Sequence, residues 1–240
     1  DYNIYYAISY VDDPADGIIV LGTDLVPNDY KQVKLYIKNT KTGKLNSFFT
    51  NIASSGLEGM ENGGVLSVKV FDAVGQPVLG ATIHIQNTTI TPNIDLTRIS
   101  DSNGNWAEGG LPTSANSYHI TVTKNGYSQD QTYTPSISNP QPIKNDATIL
   151  NGQVTQISFS IDLLSNLSFY IKNQICASLE GIDLQVRGAK LIGTPNVYKF
   201  DNTYTSNVAG GIFLNNIEWD SYTPGLISSF YMVYGTSPIQ

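Results

Sequence analysis

The chain has 240 residues, of which 40% are hydrophobic and only 14% are charged, and its formal net charge is −7. This length predicts two or three small domains, and the abundance of Thr and Tyr favours strands over exposed helices. The negative charge and the lack of a basic run argue against nucleic acid as a partner. The single cysteine, Cys176, cannot form an internal disulfide, and we expect a buried or half-buried thiol.

The amino-terminal segment shows no targeting signal. The chain opens with "DYNIYYAISYV", which has neither the basic nor the apolar part of a signal peptide. No apolar run reaches the roughly 18 residues that a membrane-spanning helix needs. We therefore expect any export signal or membrane anchor to lie outside this sequence.

Residues 1–62 are predicted to form a small antiparallel sheet. The stretches "NIYYAISYV" (residues 3–11) and "VKLYI" (33–37) alternate apolar and polar side chains, which predicts half-buried strands. A turn at Thr42 and Gly43 leads to a third strand. A few strands alone need a covering layer, and we expect it from the next domain or from sequence upstream.

The Gly- and Ser-rich stretch "SSGLEGMENGG" predicts a domain boundary before residue 63. Beyond it, residues 63–163 contain short strands at regular spacing: "VLSVKVFD", "ATIHIQ", "LTRIS", "SYHITVT" and "TQISFSIDLL". Turn residues such as Gly75 and Pro77 separate them. This spacing is typical of an antiparallel β-sandwich.

Residues 164–240 are predicted to be a second, divergent copy of that sandwich. "SGLEG" at 55–59 and "ASLEG" at 177–181 each come before a strand-rich run. The stretch "YTSNVAGGIFLNNIEWDSYT" also parallels "RISDSNGNWAEGGLPTSANSYHIT". The predicted fold class is therefore all-β, with a small N-terminal sheet followed by two tandem sandwiches.

A family resemblance supports this fold. Residues 68–127, with the Gly75 turn, "VLGA" at 78–81, "DSNG" at 101–104 and "NGY" at 125–127, resemble the carboxypeptidase regulatory-like domain, a prealbumin-like (Ig-like) sandwich. The second copy lacks "VLGA". The first segment, with "ISYVDDPADG" at 8–17 and "SSGLEG" at 54–59, is also similar to the region after the N-terminal helix of bacterial pilin-like or prepilin-type surface proteins.

The resemblance implies a non-catalytic structural or interaction module of an exported bacterial surface or pilus-associated protein, located at the cell surface. Its implied partners are other surface or pilus proteins, and it needs no cofactor. A carbohydrate-binding or adhesive module is the alternative, for which Trp106 and Trp219 are the candidate stacking residues. Strand parity nevertheless favours packing for both tryptophans. An accessory region of a hydrolase is the third option.

Two acidic stretches are candidate metal sites. Asp101 and Asn103 lie at alternate positions, as at the start of a calcium loop, but the sixth position lacks Gly and the twelfth is Pro112. A hairpin turn explains the same residues through their side-chain bonds to the backbone. Asp12, Asp13 and Asp16 in "VDDPADG" form the second cluster, for which a solvated acidic turn is the simpler interpretation.

Two further constellations concern covalent chemistry. Lys69, Glu108 and Asp162 are the nominal set for an isopeptide cross-link of the kind found in collagen-adhesin domains. The alternation of Leu66 and Val68 places Lys69 on the solvent side, which argues against the cross-link. The two histidines, His84 and His119, are predicted to point outward from strands, and no pattern for hydrolysis surrounds them.

Overall fold

The computed structural model describes residues 2–11, 30–53 and 63–227, and throughout these ranges the regular elements are strands. The predicted all-β fold, with a small amino-terminal sheet followed by two sandwiches, is confirmed. No helix that is long and apolar enough to cross a membrane occurs within these three ranges.

The amino-terminal sheet is an antiparallel meander of β1 (Tyr2–Val11), β2 (Tyr30–Asn39) and β3 (Leu45–Ala53), in that spatial order. The pairings Ile4 with Ile37 and Leu35 with Phe48 place apolar side chains on one face. The exposed members of this face are Tyr2, Ile4, Tyr6, Ile8, Leu35, Phe48 and Ile52. The expectation of half-buried strands is therefore wrong for many of these side chains, because no described layer covers the face.

The first sandwich contains eight strands: β4 (Gly64–Phe71), β5 (Thr82–Asn87), β6 (Ile94–Ile99), β7 (Asn105–Leu111), β8 (Ser114–Thr123), β9 (Asp130–Gln131), β10 (Ala147–Ile149) and β11 (Val154–Ser160). One sheet has the order β10-β8-β5-β6, with β9 paired to β8, and the other has the order β11-β4-β7. Alternate apolar side chains of both sheets meet in one core. Its fully buried members include Leu66, Val68, Ile83, Ile85, Tyr118, Ile120 and Phe159.

The closing strand differs from the antiparallel prediction. β11 pairs with β4 in parallel, with Ile157 opposite Val68 and Phe159 opposite Val70. Parallel pairing requires a long connection between the two strands, here residues 72–153 with β5 to β10, and strand periodicity carries no information about direction. The result is that β4 lies between two neighbours and its inward side chains are fully buried.

The second sandwich contains seven strands: β12 (Ser165–Tyr170), β13 (Asp183–Gly188), β14 (Leu191–Gly193), β15 (Val197–Tyr198), β16 (Asp201–Thr205), β17 (Gly211–Ile217) and β18 (Tyr222–Leu226). β12 pairs with β17, β13 lies between β16 and β18, and β14 pairs with β15. The core lies between the β12–β17 sheet and the β16–β13–β18 sheet, and its buried members are Leu184, Val186, Ile212, Leu214 and Ile217.

A buried serine shows that the two sandwiches are structural repeats. In the first, the Ser100 hydroxyl accepts the Ala81 N–H at 2.9 Å and donates to the Val78 carbonyl at 2.7 Å. In the second, the Ser206 hydroxyl accepts the N–H of Ile182 at 3.0 Å and donates to the carbonyl of Leu179 at 2.7 Å. The same hydroxyl therefore closes the same turn in both copies.

This correspondence corrects the alignment of "ASLEG" with "SGLEG". Within the second sandwich, "LEGI" (179–182) takes the place of "VLGA" (78–81). Gly80 and Gly181 have φ angles of 74° and 72°, which favour glycine. Only this glycine survives in the motif, so sequence comparison alone missed the equivalence. "SGLEG" at 55–59 lies outside the described residues.

A tyrosine is also repeated. The Tyr118 hydroxyl donates to the carbonyl of Pro112 at 2.6 Å, and the Tyr222 hydroxyl donates to the carbonyl of Glu218 at 2.8 Å. Each tyrosine thereby fixes the corner that leads into β8 or β18. The two tyrosines of the parallel stretches "SANSYHIT" and "WDSYT" thus occupy equivalent places in the two sandwiches.

Candidate functional site at the junction of the two sandwiches

The two sandwiches are joined by backbone pairing between residues 139–143 of the first and 192–194 of the second, which we call the junction. The Ile143 N–H donates to the Ile192 carbonyl at 3.0 Å, and the Thr194 N–H donates to the Gln141 carbonyl at 2.9 Å. Pro142 and Gly193 face each other between these bonds as an antiparallel bridge. The contact thus has the directional geometry of a sheet.

Asn139 fastens this pairing from the first sandwich. Its side chain is buried, and its Nδ2 donates to the Ile192 carbonyl at 3.1 Å. A Cβ placed on Gly193 would overlap the Asn139 side-chain oxygen. The Asn139 Oδ1 atom is buried and has no hydrogen-bond partner among the described residues. A side chain at position 193 would therefore displace the Asn139 side chain that donates to the Ile192 carbonyl.

Charged side chains line a cleft of about 230 Å³ beside the junction. On the first sandwich, Lys144 Nζ lies 2.6 Å from Asp130 Oδ2. On the second, Glu218 accepts Lys190 at 2.6 Å and Lys199 at 2.7 Å. Lys199 also donates to the carbonyl of Gln129 at 2.7 Å, which ties the second sandwich to the first.

Tyr133 lies close enough to charged groups of both sandwiches for each to affect its pKa. Burial, together with the smaller effect of the negative charges of Asp130 and Glu218, raises the pKa of Tyr133 to about 12. These two carboxylates belong to different sandwiches, so the tyrosine is held neutral at their meeting point. The charged side chains that line the cleft pair with one another, an arrangement suited to a structural joint.

The candidate calcium loop is a tight turn between β6 and β7, and the predicted hairpin is wrong because these two strands belong to different sheets. Asp101 Oδ1 accepts the N–H groups of Asn103 and Asn105, both at 2.8 Å. Gly104 has φ of 73°, and a Cβ there would overlap the carbonyl of Val70. The carboxylate is therefore used by the backbone. No group of three or more His, Cys, Asp or Glu side chains suited to a metal ion occurs in the described part of the chain.

The second acidic cluster, Asp12, Asp13 and Asp16, lies outside the described residues.

The nominal cross-linking residues do not face one another. Lys69 is exposed and sits opposite Ser158 in the β4–β11 register. Asp162 accepts the N–H of Ala73 at 3.1 Å. Glu108 pairs with Arg98, whose Nε lies 2.9 Å from Oε2.

The pair between Arg98 and Glu108 has a different role. Arg98 lies opposite the buried Ile83, and Glu108 lies opposite the buried Leu66, so both project from edge strands towards the core side. Both side chains remain partly exposed. The ion pair therefore spans the two sheets at the open side of the first sandwich.

The two histidines each lie beside a different carboxylate. His84 Nε2 lies 2.7 Å from Asp95 Oδ1, and this hydrogen bond is the main cause of a lowered pKa for Asp95. His119 Nδ1 lies 2.9 Å from Oδ1 of the buried Asp146. The Thr132 hydroxyl also donates to Asp146 at 2.8 Å. The hydrogen bonds of Asp146 hold strands and loop together on the outer face of the sheet.

The two candidate stacking residues differ in their exposure to solvent. Trp106 is partly buried and packs against the first core. Trp219 is 62% exposed, which contradicts the packing expected from strand parity. The reason is that β17 ends at Ile217, so strand alternation does not extend to Trp219.

Cys176 also contradicts its expectation, because the thiol is exposed. It occupies a turn in which Asn173 Oδ1 accepts the N–H groups of Ile175 and Ala177. The residue has φ of 63°. Turn geometry, which hydrophobicity does not report, sets its exposure.

Sequence reasoning missed the junction. By its sequence, the polar, Pro-rich passage that contains residues 139–143 predicts only a connection that leads to the closing strand of the first sandwich. Its one available signal was "SNPQPI", with an Asn and two Pro residues that limit the backbone. Pairing with residues 192–194 depends on how the two sandwiches meet, which no local pattern encodes.

No family model and no curated protein matches the chain. Among solved structures, it is similar to the Bacillus anthracis TIE protein, with 12% identity and a TM-score of 0.33 over 85% of this chain and 38% of that one. It is similar to a streptococcal ancillary pilin, with 11% identity and a TM-score of 0.30 over 82% and 72% of the two chains.

A third similar structure is hydroxyquinol 1,2-dioxygenase from Pseudomonas putida DLL-E4, with 12% identity and a TM-score of 0.28 over 41% of this chain and 56% of that one. The structural neighbours thus include a bacterial pilin and an enzyme. At these TM-scores, the similarities carry no argument about function. The chain spans well under half of the Bacillus anthracis protein's length.

Proposed function

We propose that the chain is a non-catalytic structural module of an exported bacterial surface or pilus-associated protein, in which two sandwiches form one stiff unit. The backbone pairing at the junction carries this proposal. A flexible tandem needs only a linker, whereas here Ile143 and Thr194 form inter-sandwich bonds and Gly193 permits close packing. Such an arrangement resists bending between domains, as a spacer at a cell surface requires.

The short connection between the sandwiches supports the same function. β11 ends at Ser160 and β12 begins at Ser165. Within this connection, the Leu164 N–H donates to the Gly126 carbonyl at 2.9 Å, and Leu163 bridges to Tyr127. The connection is therefore held against the first sandwich and adds little freedom.

The side-chain inventory supports a non-catalytic role. The cleft at the junction holds Lys144, Lys190 and Lys199, and each is within ion-pair distance of a carboxylate. These groups satisfy one another. A catalytic site would instead place a nucleophile beside an oriented base in a pocket.

The experiment is differential scanning calorimetry of the protein and of Gly193→Ala. We expect coupled unfolding of the sandwiches in the wild type, and a lower Tm or two separated transitions in the variant. Gly225→Ala is the matched control, since a Cβ at position 225 meets nothing within 4 Å. If Gly193→Ala and Gly225→Ala unfold alike, the junction does not couple the sandwiches and the proposal loses its support.

A carbohydrate-binding function is the second candidate, and the exposure of Trp219 favours it at that one position. Its test is glycan-array binding by the wild type and by Trp219→Ala. Binding that is lost in the variant while the Tm stays unchanged would favour this function. Binding that persists would remove Trp219 from consideration.

A further inference from the structure

We propose that the cleft beside the junction is a binding site for a carboxylate group that carries a short apolar body. This site goes beyond the proposed function, because a stiff spacer needs no ligand, although both depend on how the two sandwiches meet. Three features of the cleft carry the proposal: the charge of its lining, the hydrogen-bonding groups left unused there, and its size.

The lining of the cleft has an excess of positive charge. It contains only two carboxylates, Asp130 and Glu218, against the ammonium groups of three lysines, Lys144, Lys190 and Lys199. Glu218 is shared by two of these lysines. Asp220 is not part of the lining, and both of its oxygens accept backbone N–H groups. One positive charge of the lining is therefore left over, in a chain whose net charge is −7. A carboxylate supplies the single negative charge that balances it at neutral pH.

The acceptor oxygens of the lining are already in use. Asp130 Oδ1 accepts the N–H of Gln131 at 2.8 Å. Asp130 Oδ2 accepts Lys144 Nζ at 2.6 Å and the N–H of Ser160 at 3.0 Å. Each oxygen of Glu218 accepts one lysine. Every carboxylate oxygen of the lining thus has a donor, so the cleft offers few free acceptors to a ligand.

Several donors of the lining are unused. A lysine ammonium has three N–H groups, and Lys190 directs only one of them to a described partner, at 2.6 Å from Glu218. The hydroxyls of Tyr133 and Ser160 make no hydrogen bond within the described residues. Burial raises the pKa of Tyr133 to about 12, so its hydroxyl stays a donor at neutral pH. An ionised carboxylate, which only accepts hydrogen bonds, matches these donors.

The size and the apolar wall of the cleft limit the rest of the ligand. The volume of about 230 Å³ exceeds what one water molecule needs, but it is below the roughly 300–1,000 Å³ of pockets for drug-sized ligands. Ile143, Leu191 and Ile192 supply the apolar wall. Ile143 is 58% exposed and Leu191 is 37% exposed, so covering them with a small aliphatic group is favourable. The ligand is therefore a short, branched aliphatic carboxylate.

The test uses the full chain in a chloride buffer of constant ionic strength, with isovalerate as the probe and isovaleramide as its uncharged control. Both probes have the same branched body, so a difference between them isolates the carboxylate. We expect isovalerate to shift the amide resonances of Gln131, Tyr133 and Ile192 in a saturable manner, with a Kd of about 1–10 mM. Isovaleramide should show no saturation below about 100 mM.

Three variants locate the site. Lys190→Gln should weaken the binding of isovalerate about tenfold, because it removes a charged donor. Lys172→Gln is the matched control, an exposed lysine outside the lining, and it should leave the Kd unchanged. Tyr133→Phe should also weaken binding about tenfold. It removes no hydrogen bond made within the described residues, so its Tm at neutral pH should match that of the wild type, which separates lost binding from a lost junction.

A second probe identifies the source of the carboxylate. The peptide acetyl-Gly-Gly-Gly-Val presents the same branched group beside a terminal carboxylate. Saturable binding of the peptide assigns the site to the chain terminus of a partner, and binding of isovalerate alone assigns it to a small molecule. The proposal is overturned if isovaleramide binds as tightly as isovalerate, or if the isovalerate shifts stay linear up to about 100 mM. It is also overturned if Lys190→Gln and Tyr133→Phe bind isovalerate like Lys172→Gln.

Discussion

Cys176 occupies in the second sandwich the turn position that Gly75 occupies in the first. The Gly75 N–H donates to the Asp72 carbonyl at 3.0 Å, and the Cys176 N–H donates to the Asn173 carbonyl at 2.9 Å. Their φ angles are 82° and 63°, both in the left-handed region. A side chain is disfavoured there, so the second copy carries a backbone cost that the first copy avoids.

Replacing this cysteine should therefore stabilise the protein. Cys176→Gly is expected to increase the free energy of unfolding by about 0.5–1 kcal/mol. This is the cost of holding a non-glycine residue in the left-handed region, reduced because glycine gives the unfolded chain more conformational freedom. Urea denaturation measures the change. Gly75→Ala is the converse variant, and it should destabilise because its φ angle is positive although a Cβ there has open space. Equal stability of Cys176→Gly and the wild type would contradict the argument.

The repeated serine predicts a second pair of variants. Ser206→Ala leaves the N–H of Ile182 and the carbonyl of Leu179 without their hydroxyl partner in a buried turn. We expect a loss of about 2 kcal/mol in unfolding free energy. Ser100→Ala should cost a similar amount in the first sandwich, because the same two bonds are removed.

The control for the serine variants is Ser168→Ala, whose exposed side chain should be dispensable. Amide exchange monitored residue by residue assigns each loss to its own sandwich. A Ser206→Ala protein as stable as Ser168→Ala would show that the turn does not depend on the hydroxyl.

The tyrosines predict a decline in stability at alkaline pH. Burial is the main cause that raises the pKa of both Tyr133 and Tyr222 to about 12. The unfolded state releases these protons near pH 10, before the folded state does. Stability is therefore unaffected by these groups below pH 10 and falls as the pH rises from about 10 to 12.

Thermal unfolding measured across this pH range tests the effect. Tyr133→Phe removes one titrating hydroxyl, which makes no hydrogen bond within the described part of the chain. The variant should lose less stability between about pH 10 and 12 than the wild type does. Parallel pH profiles for the two proteins would mean that Tyr133 ionises equally easily in both states.

Local patterns predicted what depends on local chemistry. Alternation identified the strands that bury Leu66, Ile83 and Ile120, and the turn interpretation of Asp101 agrees with its two backbone bonds. Both are short-range effects. Strand alternation follows from the direction of successive side chains, and the turn follows from the short polar side chain of Asp101.

Long-range features escaped prediction. The parallel pairing of β11 with β4 joins residues far apart in sequence, and alternation is the same for either direction. The second turn motif was missed because "LEGI" keeps only the glycine of "VLGA". The junction escaped for a similar reason, since Gly193 owes its role to Asn139 on another sandwich.

The fixed orientation of the two sandwiches is the central claim, and a distance measurement tests it most directly. Spin labels at Thr97→Cys and Thr203→Cys, two exposed positions on different sandwiches, would be placed in a Cys176→Gly background. Pulsed electron–electron double resonance between the two labels should give one narrow distance distribution, and Gly193→Ala should broaden it. A broad distribution in the background protein itself, unchanged by Gly193→Ala, would contradict a stiff junction.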